Sequence, residues 1–238
     1  MAGAQKNELK PHLRQQYVIP PRQNAEFVAN MEDILDLYHR PYDPKRPLVC
    51  MDEQPVQLIK ETRLPLPAKP GRPHSVDYEY ERNGTANIFM FTEPLAGWRR
   101  TTVREQKTAI DWAEEIRRLL EEDYPEAETV VLVCDNLNTH KTASLYEAFE
   151  PDTARRLVQR LEIHYTPKHG SWLNIAENEL SVLTRQCLDR HIPDSGTLIT
   201  ETTAWHSGRN ETQKSVDWQF TTVDARIRLK RLYPQHKS

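Results

Sequence analysis

The sequence predicts an α/β fold: a mixed five-stranded sheet, three antiparallel strands followed by alternating helices and strands, with helices on both faces. Three observations carry this. Two short apolar runs, LVCMD (48–52) and TVVLVCD (129–135), each end in an aspartate and read as buried strands with a charge at the rim. The segment YEYERNGTANIFMF (78–91) alternates polar and apolar residues with the period of a strand. Elsewhere, apolar residues recur at spacings of three and four, as on one face of a helix.

The elements follow in order. Residues 1–23 are polar, punctuated by Pro20-Pro21, and read as an arm or linker. Asn24 caps a helix whose apolar face is Phe27, Val28, Met31, Ile34, Leu35 and Tyr38. Pro41 to Pro47 ends it and leads into the first strand, LVCMD. Residues 60–75 hold four prolines and four cations, Lys60, Arg63, Lys69 and Arg72, and form a long extended loop. Asn83-Gly84 then signals a two-residue hairpin turn, and WRRTTVRE (98–105) a third strand. Thr108 caps a helix with Ile110, Ala113, Ile116, Leu119 and Leu120 on one face, closed by Pro125. The central strand 129–135 follows, then a helix over 142–160 with a break near Pro151, then the strand LEIHYTP (161–167). Asn174 to Arg190 is a helix with Ala176, Leu180, Leu183 and Cys187 inside, and shorter helices lie near 197–207 and 223–232. The domain boundaries expected are an arm with one amphipathic helix over 1–45, the α/β domain over 46–210 and a basic segment over 211–238.

Composition narrows the function. Across 238 residues no apolar run approaches the roughly 18–20 needed to span a membrane, and mean hydropathy is −0.77. The N-terminus MAGAQKNELKPHLRQQ lacks a secretory apolar stretch, so the cytoplasm is expected. Three cysteines, Cys50, Cys134 and Cys187, without a CxxC pair, argue against a disulfide framework or zinc knuckle. The net charge of −3 looks unfavourable for a nucleic-acid partner, but residues 111–128 alone hold eight acids against two bases, so the rest of the chain is net positive.

Chemistry is expected at the strand ends. Asp52 and Asp135 close the two apolar runs, and buried carboxylates are costly unless a proton donor or a cation satisfies them. A third acid on the following helix, Glu177 or Glu179, completes a set suited to two divalent cations about 4 Å apart. The two glutamates lie two residues apart, about 200° of helix rotation, so only one can face the site. The periodicity alone leaves that choice open.

The ordered motifs, Asp52 after a first strand, DNLNTH (135–140) after a central strand, and YTPKHGSWLNIAENEL (165–180), resemble the catalytic domain of DDE transposases of the insertion sequence 630 and mariner-like group. The likeness covers roughly residues 15–234. Its third motif, L-N-P-I-E-N in the family, is matched by Leu173-Asn174-Ile175-Ala176-Glu177-Asn178, which places the third carboxylate on Glu177. Forty-one residues separate Asp135 from Glu177, within the family's range. The resemblance implies an RNase H-like fold with Asp52, Asp135 and Glu177 as catalytic metal ligands for two Mg2+ (or Mn2+) ions. It further implies hydrolysis of a phosphodiester at a transposon end, then attack of the freed 3′-hydroxyl on target DNA at TA sites, in the prokaryotic cytoplasm or nucleoid. The partners implied are double-stranded DNA and a second copy in a homodimer, with no membrane.

Supporting residues are expected nearby. Lys168 and His169 lie in the loop before the third motif and would meet the scissile backbone. Arg226, Arg228, Lys230, Arg231 and Lys237 form a C-terminal basic patch suited to phosphate, or equally to a solvated helix end. Asn136, Asn138 and His140 could orient a ligand, although DNLN is also turn chemistry. The proline-rich loop is a candidate for dimerisation or DNA contact. The first 45 residues leave no room for the helix-turn-helix domains of a complete transposase, so the chain is expected to be a catalytic fragment or a truncated copy, and the resemblance does not carry specific recognition of transposon ends over to it. Two other readings are an RNase H-like nuclease without strand transfer and an inactive DNA-binding or oligomerisation remnant.

Overall fold

A computed structural model of the chain describes residues 23–61, 70–71, 79–212 and 215–235. Five strands form one sheet: β1 (Leu48–Glu61), β2 (Tyr80–Glu93), β3 (Trp98–Arg104), β4 (Val130–Cys134) and β5 (Leu161–Tyr165), in the spatial order β3-β2-β1-β4-β5. The first three are antiparallel, and β4 and β5 run parallel to β1. Strand alternation divides the core in two. On one face, Cys50, Val131 and Val133 pack under α1 (Ala25–Tyr38) and α5 (Ile175–Gln186). On the other, Val49, Met51, Leu132 and Cys134 pack under α2 (Ala109–Arg118), α3 (Thr142–Ala148) and α4 (Pro151–Gln159). The mixed five-stranded sheet covered on both faces agrees with the sequence. The C-terminal α7 (Thr222–Arg228) returns beside α1, where Arg226 pairs with Glu32. Among the described residues no helix is long and apolar enough to cross a membrane.

Four expectations are corrected. The first strand does not stop at Asp52 but runs to Glu61, because β2 pairs with it from Cys50 to Glu61. Pro55 is tolerated there because β4 accompanies β1 only from Leu48 to Cys50, leaving an edge where a missing N–H is harmless. Asn83-Gly84 does not turn a hairpin. It forms a β-bulge within β2, between the pairs Gln57–Thr85 and Ile59–Arg82, with Gly84 at φ +90°. The long β1 offers a partner on both sides of the dipeptide, so the chain continues instead of reversing. Ile110 is exposed; the buried stripe of α2 starts at Trp112, which is fully buried. Finally, α5 ends at Gln186 rather than Arg190, and the helix after it, α6 (Ser195–Thr212), is longer than predicted. The predicted helix over 142–160 does break at Pro151. Of the proline-rich loop, residues 62–69 and 72–75 lie outside the described residues, as do residues 1–22 and Lys237.

A buried ion pair fixes α5 and α6 against the sheet. Arg99 of β3 donates Nε and Nη2 to the two oxygens of Glu179 (2.8 and 3.0 Å), and Arg209 of α6 reaches the same carboxylate at 3.1 Å. Arg99 and Glu179 are both almost fully buried. Removing one member strands the other in a low-dielectric interior. Glu179→Ala is therefore expected to cost about 3–5 kcal/mol of stability, measured by urea unfolding. A loss below about 1 kcal/mol, as for a surface pair, would contradict this.

Candidate active site

The register of the parallel pair brings the two aspartates level. Cys50 pairs with Val133, so two residues further on Asp52 stands beside Asp135, just past the end of β4. Both follow the parity of residues packed under α1 and α5, and α5 carries Glu177 onto the same side. Asn174 sets that helix in place. Its Nδ2 donates to the Met51 carbonyl (2.9 Å), one residue before Asp52, while its Oδ1 accepts from the Ala176 amide (3.1 Å) as the helix cap. Tyr38 adds a bond from its hydroxyl to the Leu173 carbonyl (2.6 Å), and Gln54 of β1 donates to Thr184 of α5 (3.0 Å). Asp52 and Glu177 consequently line one open groove, with Gln54, Ser181 and Thr184. Glu179, the rival on the same helix, points instead into the buried pair with Arg99.

The electrostatics show a site crowded with negative charge. Burial, more than anything, raises the Asp52 carboxyl to about 7; the Glu53 amide bond (2.7 Å) opposes this, and the charges of Glu177, Asp135 and Glu53 add to it. Glu177 is also raised, by burial and then by Asp135, against a hydrogen bond from Ser171. Asp135 is engaged elsewhere: His140 Nδ1 lies 2.6 Å from its Oδ1 and 3.2 Å from its carbonyl oxygen, a shared contact. Nε2 of His140 lies 2.9 Å from Glu53 Oε1. Burial works against charge on this imidazole, but its bonds to Asp135, Cys134 and Glu53 prevail and push it up to about 12. Among the described residues no three His, Cys, Asp or Glu side chains already surround one point at ligating distance. The donor chemistry nonetheless fits a hard divalent cation: oxygen-only ligands, one of them a carboxyl raised by burial and by the neighbouring acids Glu177, Asp135 and Glu53.

The remaining predicted residues fall in two places. Lys168 and His169 are exposed in the turn Pro167–Gly170, which begins beside Asp135 (Thr166 amide to Cys134 carbonyl, 2.9 Å) and leads to Asn174. His169 takes a positive φ of 66°, and a Cβ on Gly170 would come within 2.5 Å of the Pro167 ring, so this tight turn needs glycine there. Arg226 is held by both oxygens of Glu32 (2.8 Å each), whereas Arg228, Lys230 and Arg231 are exposed. Asn136 and Asn138 are exposed, and Trp172 packs edge-on against Phe220 at the entry to α5. Cys50 and Cys134 are buried packing groups, Cys50 next to the Tyr38 hydroxyl (3.4 Å). Sequence reasoning missed Glu53. Its signal was its place directly after Asp52, since alternation sends it to the opposite face, toward His140.

A stability test follows from Asp52. Its carboxyl holds a proton in the folded chain that the unfolded chain releases between about pH 4 and pH 7, so its contribution makes stability fall as pH rises through that window. Asp52→Asn removes this contribution. Without divalent metal, the variant should gain on wild type between pH 4 and pH 8, by at most about 4 kcal/mol in urea unfolding. An unchanged difference across that range would show that Asp52 is neither crowded nor desolvated.

Comparison with known proteins bears on the family and the fold. No curated protein is similar enough to count as a relative. Solved structures resemble the chain at low identity. The Mos1 strand transfer complex matches with a TM-score of 0.56 at 14% identity, over 85% of this chain and 61% of the other. The Mos1 mariner paired-end complex with Mn gives 0.55 at 15% identity over the same shares. The paired-end complex with Mg gives 0.54 at 14%, over 94% of this chain and 68% of that one. The chain thus spans 61% of the length of the first of these relatives, and the likeness is one of fold, RNase H-like. The family model of the DDE superfamily endonucleases matches residues 47–199, from the start of β1 into α6 and across all three carboxylates. The chain belongs to the DDE superfamily endonucleases.

Proposed function

We propose that this chain is a transposase catalytic domain that hydrolyses a DNA phosphodiester at transposon ends and joins the freed 3′-hydroxyl to target DNA at TA sites. The observation that carries the reading is the convergence of Asp52 and Glu177 on one open groove, with Asp135 level with Asp52 on the adjacent strand. Asp52, Asp135 and Glu177 would hold two divalent cations, Mg2+ or Mn2+, which when bound supply Lewis-acid activation of the attacking oxygen and charge relief at the leaving oxygen. The residues of the chain do the rest. Asn174 and Gln54 fix Glu177 opposite Asp52, so the carboxylates need little reorganisation. Ser171 donates to Glu177 and restricts its orientation. Lys168 and His169, on the turn between Asp135 and α5, contact the DNA backbone, and Arg228, Lys230 and Arg231 add phosphate contacts from the C-terminal segment. Arg226 serves chiefly to hold α7 to α1 through Glu32. The partners proposed are transposon-end and target DNA and, in the DNA complex, a second copy of the chain.

Asp52→Ala, Asp135→Ala and Glu177→Ala are each expected to abolish Mg2+- or Mn2+-dependent cleavage of end-containing DNA while keeping a cooperative melt. Glu179→Ala should lose activity only in proportion to lost fold. A Glu177→Ala variant that still cleaves would defeat the assignment. Supplying a pre-cleaved 3′-hydroxyl end with a target plasmid tests joining: strand-transfer products support a transposase, and cleavage without joining supports a plain nuclease.

A further inference from the structure

His140 is 1% exposed, and both its ring nitrogens are committed, Nδ1 to Asp135 at 2.6 Å and Nε2 to Glu53 at 2.9 Å. The surroundings hold the ring still. It stacks on buried Trp112 (centroids 5.8 Å apart, planes 25° apart), and its backbone carbonyl accepts from the Tyr165 hydroxyl at 2.7 Å. Glu53 is itself sunk, with a side chain 3% exposed, and its second oxygen lies 3.4 Å from Lys107 Nζ. Glu53 is the immediate neighbour of Asp52 on β1 but belongs to the opposite face. The line Glu53–His140–Asp135 therefore ties the strand that carries the first carboxylate to the side chain of the second. Carbonyls and ionised carboxylates only accept hydrogen bonds, so the ring donates at both ends, Nε2–H to Glu53 and Nδ1–H to the Asp135 backbone carbonyl at 3.2 Å, while Oδ1 of Asp135 is held against Nδ1 as an ion pair with no hydrogen bond of its own.

Asp135 is fastened unequally. Its side chain is 42% exposed, yet Oδ1 is buried against His140, so the exposed part includes Oδ2. An aspartate just past a strand end, with one oxygen facing water, would sample several rotamers if nothing held the other.

We propose that Glu53 and His140 are a positioning pair that holds the inner oxygen of Asp135 and so presents its outer oxygen toward the groove of Asp52 and Glu177. This rests on the metal-dependent function proposed above. Partners behind a metal ligand commonly change metal affinity by about 10–100-fold when removed.

Two substitutions separate positioning from packing. His140→Asn keeps a donor near the place of Nδ1, facing Asp135, and loses the reach to Glu53. His140→Gln keeps a donor near the place of Nε2, facing Glu53, and loses the one at Asp135. Both delete the ring and its stack on Trp112, so lost packing is common to the two. Mn2+ binding to the full chain without DNA, read by electron paramagnetic resonance of the free ion, should weaken about 10–100-fold in His140→Gln but no more than about 5-fold in His140→Asn. Glu53→Gln, which keeps an acceptor for Nε2, should lose less than His140→Gln. Equal losses in the Asn and Gln variants, in step with their melting temperatures, would overturn the pair and leave His140 a packing residue. A wild-type chain that binds no Mn2+ would overturn the functional reading, and the pair's role with it.

Discussion

The site depends on one buried amide. Asn174 is 2% exposed, and its single side chain joins the Met51 carbonyl to the first turn of α5. Its donor and acceptor ends are both satisfied in an interior where an unmet polar group costs about 1–3 kcal/mol, so the helix is held at one position along β1. Glu177 lies three residues beyond the amide, and Asp52 one residue beyond its carbonyl partner. The placement of one carboxylate against the other is thus set at the helix start by a few covalent bonds and two hydrogen bonds. Tyr38 reinforces it from α1, tying the first helix of the chain to the turn that enters the third motif.

Around this joint the sheet sorts acids by parity. Asp52 and Glu53 are neighbours in sequence but serve opposite faces, one opening on the groove and the other sunk beneath α2 with His140 and Lys107. The result is uneven charge compensation. Glu53 has cationic partners within the protein, whereas among the described residues Asp52 has none, and burial together with the neighbouring acids raises its carboxyl to about 7. An uncompensated carboxylate beside a compensated one is destabilising for the isolated fold, and such local conflicts collect where function requires them.

Much of this was legible in the sequence because it rests on short-range pattern. Apolar runs ending in Asp52 and Asp135 marked adjacent strands, and Asn24 and Thr108 cap helices as their positions suggest. The residues that resisted reading are those decided by distant partners. Asn83-Gly84 is a turn signal by local preference, overruled by a long neighbour that keeps β2 extended. Nothing within α5 distinguishes Glu177 from Glu179; the difference lies in Arg99, eighty residues earlier on β3. Ile110 fits the helical period but stands in the first turn of α2, where the face has not yet met the sheet.

The anchoring of Glu179 has a mechanical consequence. The helix that presents Glu177 is clamped at one end by Asn174 and along its inner side by Arg99 and Arg209. Sliding or rotating it would expose a bonded carboxylate to an apolar interior, so α5 acts as a stiff jaw. Asp135 is different: it lies beyond the last residue of β4, followed by the exposed Asn136, Leu137 and Asn138. What holds its inner oxygen is a single side chain, His140, which is braced in turn by Glu53 and Trp112. One acid is thus fixed by the helix that carries it, and another by a side chain reaching it from beyond the end of its strand.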